Sequence, residues 1–339
     1  MGALGEAHPK ALLPLGGVPV VRFALERLRR AGVGEATVNL HHRAEALRAE
    51  LGERACGIDI HYSFEPEILG TAGGLKKAEA FLREPGEPFF VLNADVLSAA
   101  DLGAALAHHR AGGYLATLVL RAAPDAKKFG LLAVDGSGRL RRFLNASAPG
   151  AGAGGETEAM FTGQSVLGPE FLDHIPAGRA CGISEEVYPP LIESGALIGG
   201  VLSGAYWADV GTPARYLDAA MDLMAGRYIP EMDWPGGEDA LLSGGEVDWD
   251  EGRVHLPVLI GRGVRLRRGA SAGPFAALGS GAILEERSSV SRTVVFPGGR
   301  VGEGASLERC VIGPGAFASP GGKYFESVFA GDEGKPIPF

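Results

Sequence analysis

Pro88-Phe89-Phe90-Val91-Leu92-Asn93-Ala94-Asp95-Val96-Leu97 begins as an unbroken apolar and aromatic run and turns polar at Asn93 and Asp95. Such a run, bounded by proline and polar residues, predicts a strand buried on both faces, as in a parallel sheet. Open α/β sheets bind ligands just beyond the carboxyl ends of their strands. Asp95 then stands at the rim of a crevice, where its carboxylate could hold a hard cation such as Mg2+. The plainer alternative is that Asp95 caps the helix expected from about Ala99.

Outward from this strand, helix and strand signals alternate. On the N-terminal side come a helix over Val20–Ala31 with a Gly32 stop, a strand over Ala36–Leu40, a helix over Ala44–Leu51 and a strand over Ile58–Ser63. Leu69-Gly70-Thr71-Ala72-Gly73-Gly74 follows as a glycine-rich loop opening into a helix that ends near Leu82. On the other side the pattern predicts a helix over Ala99–Ala111, then strands at Ala116–Arg121, Gly130–Val134, Leu140–Leu144, Ala159–Leu167 and Leu197–Val201. Ala146–Glu156 reads as a flexible loop, and Glu185–Glu193 as a helix that Pro189-Pro190 should break or kink. Pro213 suits the first turn of a helix over Ala214–Met224, with Thr212 as its N-cap. This alternation implies an α/β domain with a Rossmann-like, mixed and mostly parallel sheet.

The texture changes after Gly236–Asp250, an acidic, glycine-rich stretch. Val258, Val264, Ala270, Ala276 and Ala282 recur every six residues, and aliphatic-Gly-x-Gly units begin at Ile260, Leu278, Val301 and Ile312. A six-residue period predicts a parallel β-helix. Spacings of 23 and 11 between the later units imply small insertions or deletions in some coils. The expected division is a domain over 1–235, a linker over 236–253 and a β-helix over 254–339.

With 339 residues, two domains suit the length, and a net charge of −9 argues against nucleic acid as a partner, since no basic stripe is present. The short basic clusters, among them Arg27–Arg30, read as solvated faces. Three separated cysteines make no metal-ligand spacing and suit free thiols in a reducing cytoplasm. No stretch reaches the roughly 18 apolar residues of a membrane span.

Pro9-Lys10-Ala11-Leu12-Leu13-Pro14, Leu69-Gly70-Thr71-Ala72-Gly73-Gly74, Asn93-Ala94-Asp95, Phe129-Gly130, Phe161-Thr162-Gly163 and Trp207-Ala208-Asp209-Val210-Gly211-Thr212-Pro213 occur in one order. That order resembles the sugar-1-phosphate nucleotidyltransferases from about Pro9 to Met224. The tail after Val254 resembles the left-handed β-helix of the mannose-1-phosphate guanylyltransferases. The resemblance implies transfer of a nucleoside monophosphate from a nucleoside triphosphate, GTP being favoured, to a sugar 1-phosphate. By motif position, Asp95 and Asp209 would hold Mg2+ and Lys10 would contact the triphosphate. Gly70, Thr71, Ala72, Gly73, Gly74 and Asn93 would line the nucleotide pocket, and Gly130, Thr162, Gly163 and Trp207 the sugar-phosphate side. Asp209 could instead brace the Thr212 turn. Self-association through the β-helix is also implied.

Two departures stand out. The family's first strand and its Gly-x-Gly-Thr-Arg-type loop have no counterpart before Pro9, so the native start is expected upstream of Met1, and loss of a central strand should leave unpaired ladder groups on its neighbours. The lysine that many relatives carry in a Glu-Lys-Pro element is absent from Asn145-Ala146-Ser147-Ala148-Pro149; Lys127 or Lys128 could substitute electrostatically, the plainer reading being that both are surface residues. The rival reading is a non-catalytic regulatory or scaffold subunit of the same fold.

Overall fold

The computed structural model describes residues 5, 9–84, 86–122, 131–152, 154–230, 232, 240–242, 246–331 and 336–339. The chain divides into two compact units, Ala24–Trp207 and Met1–Phe23 with Ala208–Phe339.

The unit from Ala24 to Trp207 takes up the chain within helix α1 (Val20–Arg30), then runs through β1 (Glu35–Leu40), α2 (Ala44–Leu51), β2 (Ile58–Phe64), α3 (Gly70–Lys77) and β3 (Phe89–Leu92). It continues through α4 (Leu102–Gly112), β4 (Ala116–Arg121), β5 (Leu132–Val134), β6 (Leu140–Phe143), β7 (Thr157–Leu167), α5 (Tyr188–Glu193) and β8 (Ile198–Leu202). The sheet is mixed. β7 is its hub, antiparallel to β3, β4 and β5, whereas β4–β8 is parallel; β1 and β2 pair in parallel in a separate three-stranded sheet. Leu118, Leu120, Leu132, Phe143, Leu167 and Ile198 form the core with Tyr188, whose ring centroid lies 5.0 Å from that of Phe143 and 5.6 Å from that of Phe171.

Several expectations change here. The Phe89–Leu92 strand pairs antiparallel with β7 and all four of its residues are half-buried, not buried on both faces. Among the described strands β3 hydrogen-bonds only to β7 and β1 only to β2, so one edge of each ladder is open. Asp95 does not cap the next helix. That helix starts at Leu102, and Asp101 caps it by accepting from the Ala104 amide at 2.9 Å. The glycine-rich segment is no loop, because α3 begins at Gly70 itself. Pro189 and Pro190 occupy the first turn of α5, where no intrahelical N–H is required, and a wider helical turn over Ile183–Val187 directly precedes it, so the helical stretch is interrupted just before the prolines, as expected. Ala146–Ser147 folds back on Arg142–Phe143 as a short hairpin at the start of the stretch read as a flexible loop.

The second unit holds the β-helix. Among the described residues it has three sheets of seven, six and four strands, stacked in parallel apart from antiparallel strands at the ends. Partners lie 18 residues apart in the first coil, as in Val258 with Ala276, and 17 apart later, as in Val294 with Val311. This resolves the irregular spacings: 23 is one 17-residue coil plus one six-residue face, and 11 is one coil less a face. Val258, Val264, Ala270, Ala276 and Ala282 are all buried in its core. Within the stretch read as a linker, Ala240–Leu242 and Glu246–Trp249 form strands on the first coil. Helix α6 (Pro213–Met224) belongs to this unit. Its Tyr216 ring lies 5.9 Å from that of Phe296, its Asp218 pairs with Arg309 at 3.2 Å, and the Tyr216 hydroxyl donates to the Pro14 carbonyl. No disulfide joins the three cysteines, and burial pushes the Cys310 thiol up to about 11.

One prediction concerns pH. His109 on α4 is 4 % exposed, with Nδ1 3.1 Å from the Thr117 hydroxyl. Burial lowers its pKa, with help from Arg110 and His108 and against Glu170. The unfolded chain therefore binds this proton more readily, and stability should fall as pH drops below about 6.5 toward the depressed native value. Thermal unfolding at pH 7.5 and 5.5 should show a smaller loss for His109→Gln than for the parent; equal losses would place the acid sensitivity elsewhere.

Candidate active site

The end of β3 is where distant parts of the sequence meet. Opposite it, β7 carries a bulge: Phe161 faces Leu120 and Ser165 faces Leu118, so Thr162, Gly163 and Gln164 stand opposite Val119 alone. Gly163 makes the bulge possible, at φ +76°, a conformation that costs residues with a Cβ about 1–2 kcal/mol. Its carbonyl accepts from the Asn93 amide at 3.1 Å, and a Cβ there would lie 2.7 Å from Asn93 Nδ2. Trp207 Nε1 donates to the Thr162 carbonyl at 2.9 Å, and the Thr162 hydroxyl donates to the Val119 carbonyl at 2.7 Å. Asn93, Thr162, Gly163 and Trp207 thus form one cluster. Asn93 is exposed, and half-buried Asp95 follows in a turn closed by the Val96 amide on the Asn93 carbonyl at 3.2 Å.

The glycine-rich element makes a second cluster in the same unit. Buried Glu65, 5 % exposed, accepts from Asn39 Nδ2 at 2.8 Å and from the Leu69 amide at 3.0 Å, placing a carboxylate at the positive end of α3. The Cys181 carbonyl accepts from the Ala72 and Gly73 amides at 3.1 and 3.2 Å. Gly70 and Thr71 remain the first-turn N–H groups without a bond among the described residues, and Thr71 is exposed. Ala72, Gly73 and Gly74 are buried. A Cβ on Gly74 would meet Asn39 Nδ2 at 2.0 Å, and one on Gly73 the Arg179 carbonyl at 3.0 Å. Those two glycines let neighbouring protein atoms approach, a role the sequence reading assigned to a ligand. Glu65, Asn39 and the Cys181 backbone were missed; the acidic residue shortly before a helix start was the available signal.

In the other unit, Asp209 Oδ1 accepts from the Gly211 amide at 2.5 Å and Oδ2 lies 3.4 Å from Arg215 Nη1. Thr212 caps α6 by accepting from the Arg215 amide at 3.3 Å, as expected. Asp209 therefore does brace this turn, and a carboxylate with about four lone-pair sites keeps capacity for a further ligand. Lys10 is exposed on a short 3-10 turn, Lys10–Leu12. Gly130, Lys127 and Lys128 lie outside the described residues.

Carboxylate oxygens are the donors a hard cation requires. Among the described residues no group of three or more His, Cys, Asp or Glu side chains could hold a metal ion. Mg2+ is commonly bound by one or two carboxylates with substrate phosphates and water completing its octahedron, and half-buried Asp95 and Asp209 each offer a carboxylate of that kind. No helix among the described residues is long and apolar enough to cross a membrane.

The nucleotidyl transferase family pattern matches residues 4–226. The chain is 30% identical to UTP–glucose-1-phosphate uridylyltransferase of Synechocystis sp. over 90% of its length and 82% of the relative's. It is also 30% identical to mannose-1-phosphate guanylyltransferase of Mycobacterium tuberculosis over 89% of its length and 77% of the relative's. The crystal structure of HddC from Yersinia pseudotuberculosis superposes with a TM-score of 0.52 at 19% identity, over 64% of this chain and 90% of that one, a likeness of fold.

Proposed function

The chain belongs to the nucleotidyl transferase family, and from that premise we propose that it is a sugar-1-phosphate nucleotidyltransferase with a preference for GTP and mannose 1-phosphate. A phosphate oxygen of the sugar attacks the α-phosphorus of the nucleoside triphosphate; the new P–O bond forms as the bond to pyrophosphate breaks. The observation that carries this reading is the convergence of Asn93, Thr162, Gly163 and Trp207 at the end of β3, just before Asp95.

The physical obstacle is the meeting of two anions. Asp95 and Asp209 are the residues that would hold Mg2+, which supplies neutralisation of the triphosphate charge when bound. Lys10 adds a mobile positive charge for the triphosphate. The Gly70 and Thr71 N–H groups donate to the nucleotide. Thr162 and Gly163 border the sugar, and Trp207 keeps their bulge in shape by holding the Thr162 carbonyl. Fixing both reactants in line converts a bimolecular encounter into a unimolecular step, worth up to about 7–11 kcal/mol of barrier.

The base preference rests on the mannose-1-phosphate guanylyltransferases of Mycobacterium tuberculosis, Oryza sativa and Arabidopsis thaliana among the relatives, beside one named uridylyltransferase. Pyrophosphate release across a panel of nucleoside triphosphates and sugar 1-phosphates should give the highest kcat/KM with GTP and mannose 1-phosphate. A higher value with UTP and glucose 1-phosphate would reverse the assignment. The same reading makes the protein cytoplasmic and self-associating through the β-helix, where Phe325 and Ile337 are 59 % and 45 % exposed. Sedimentation should show a multimer that Phe325→Glu shifts toward monomer, and a parent monomer would contradict this.

A further inference from the structure

Arg27 is the residue whose sequence reading fails most completely. It sits in a basic run, yet it is 9 % exposed, and its guanidinium reaches two separate segments. Nη1 donates to Gln164 Oε1 at 2.7 Å and Nη2 donates to the Ala100 carbonyl at 2.8 Å. Gln164 follows Gly163 in the bulge, and Ala100 ends the segment that carries Asn93 and Asp95. The other end of that segment is already tied to the bulge through the Asn93 amide and the Gly163 carbonyl. A closed circuit results: Asn93 to Ala100 along the chain, Ala100 to Arg27, Arg27 to Gln164, and Gly163 back to Asn93.

Arg27 also fixes which way the Gln164 amide points. Gln164 is 1 % exposed, and its Nε2 has no hydrogen-bond partner among the described residues. Exchanging the amide's two ends would turn N–H donors toward a guanidinium that carries only donors. The planar fork of arginine reaches two acceptors at once, which a lysine ammonium on its flexible stem does not reproduce. A buried cation is a costly way to gain stability alone, since apolar replacements of similar volume are often neutral or better.

We propose that Arg27 is a positioning residue that locks the Asp95 segment and the Thr162–Gln164 bulge into one arrangement, so that the metal-side carboxylate and the sugar-phosphate border keep a fixed separation. This rests on the reading of Asp95 and Thr162–Gly163 given above. It is tested on the full chain by amide hydrogen exchange with Arg27→Met, which keeps the stem's volume and removes the fork. Exchange should rise together in peptides covering 93–100 and 160–166 and stay at the parent level in the rest of the unit. Where the parent turns over, kcat should fall about tenfold or more, the KM for sugar 1-phosphate should rise more than that for the triphosphate, and Arg27→Lys should be intermediate.

Unchanged exchange in either segment, or a uniform rise throughout the unit, would overturn the proposal. A parent without turnover would overturn the catalytic reading and leave the exchange result to decide the clamp. Should Arg27→Met fail to fold, Gln164→Met removes the acceptor while Arg27 stays in place. It must loosen 93–100 as well as 160–166, and loosening confined to 160–166 would refute the coupling.

Discussion

Asp95→Ala should lower kcat by about a thousand-fold while leaving the fold intact. The carboxylate lies in the Asn93–Val96 turn, which the Val96 amide closes on the Asn93 carbonyl. It does not cap the following helix, since Asp101 does. Thermal unfolding measured beside the kinetics would show whether the variant is folded when it loses turnover. Asp101→Ala is the matching control. It loses an N-cap, about 1 kcal/mol of stability, and should keep its turnover. An Asp95→Ala protein that unfolds would make Asp95 architectural, and one that stays folded and turns over normally would remove it from catalysis.

Gly70→Ala carries the second large effect, for a different reason. Gly70 begins α3 at φ +70°, which costs an L-residue about 1–2 kcal/mol. The new Cβ would lie 2.7 Å from the Cys181 carbonyl oxygen. That oxygen is backbone and already holds the Ala72 and Gly73 amides, so the first turn of α3 must shift instead. Overpacking of this kind adds about 1–3 kcal/mol. Gly70 and Thr71 then lose their placement, and the KM for the triphosphate should rise about tenfold or more with a smaller change for the sugar phosphate. Gly86→Ala is a useful contrast, because Gly86 also has positive φ but open space around it. It should lose a little stability and no activity. Equal KM effects on both substrates at Gly70 would remove it from the nucleotide side.

What the sequence disclosed and what it hid follow physical lines. The β-helix was readable because small and aliphatic residues must recur at its inward positions, and the switch from 18- to 17-residue coils only blurred the later repeats. Asn93 stood out as the polar end of an apolar run, whereas Gly163 and Trp207 were legible only through the resemblance of their motifs to the family. Arg27 was hidden inside a basic run, although helical spacing held the clue: it lies four residues after buried Phe23 and three after buried Ala24. Gly73 and Gly74 could not be told from ligand-contacting glycines, since Asn39 and Arg179, the residues they accommodate, are distant in sequence. A mixed sheet was expected, but the antiparallel pairing on β7 was hidden where mostly parallel pairing was read, because a half-buried antiparallel strand such as Phe89–Leu92 can be as uniformly apolar as a parallel one.

The most direct measurement is the stoichiometry of the reaction itself: pyrophosphate and sugar nucleotide quantified together, with the triphosphate alone, with sugar 1-phosphate alone and with both. The account predicts one pyrophosphate for each sugar nucleotide, formed only when both substrates and Mg2+ are present. Binding of a nucleotide sugar without any pyrophosphate from any pair would contradict it and leave a ligand-binding subunit with the same fold.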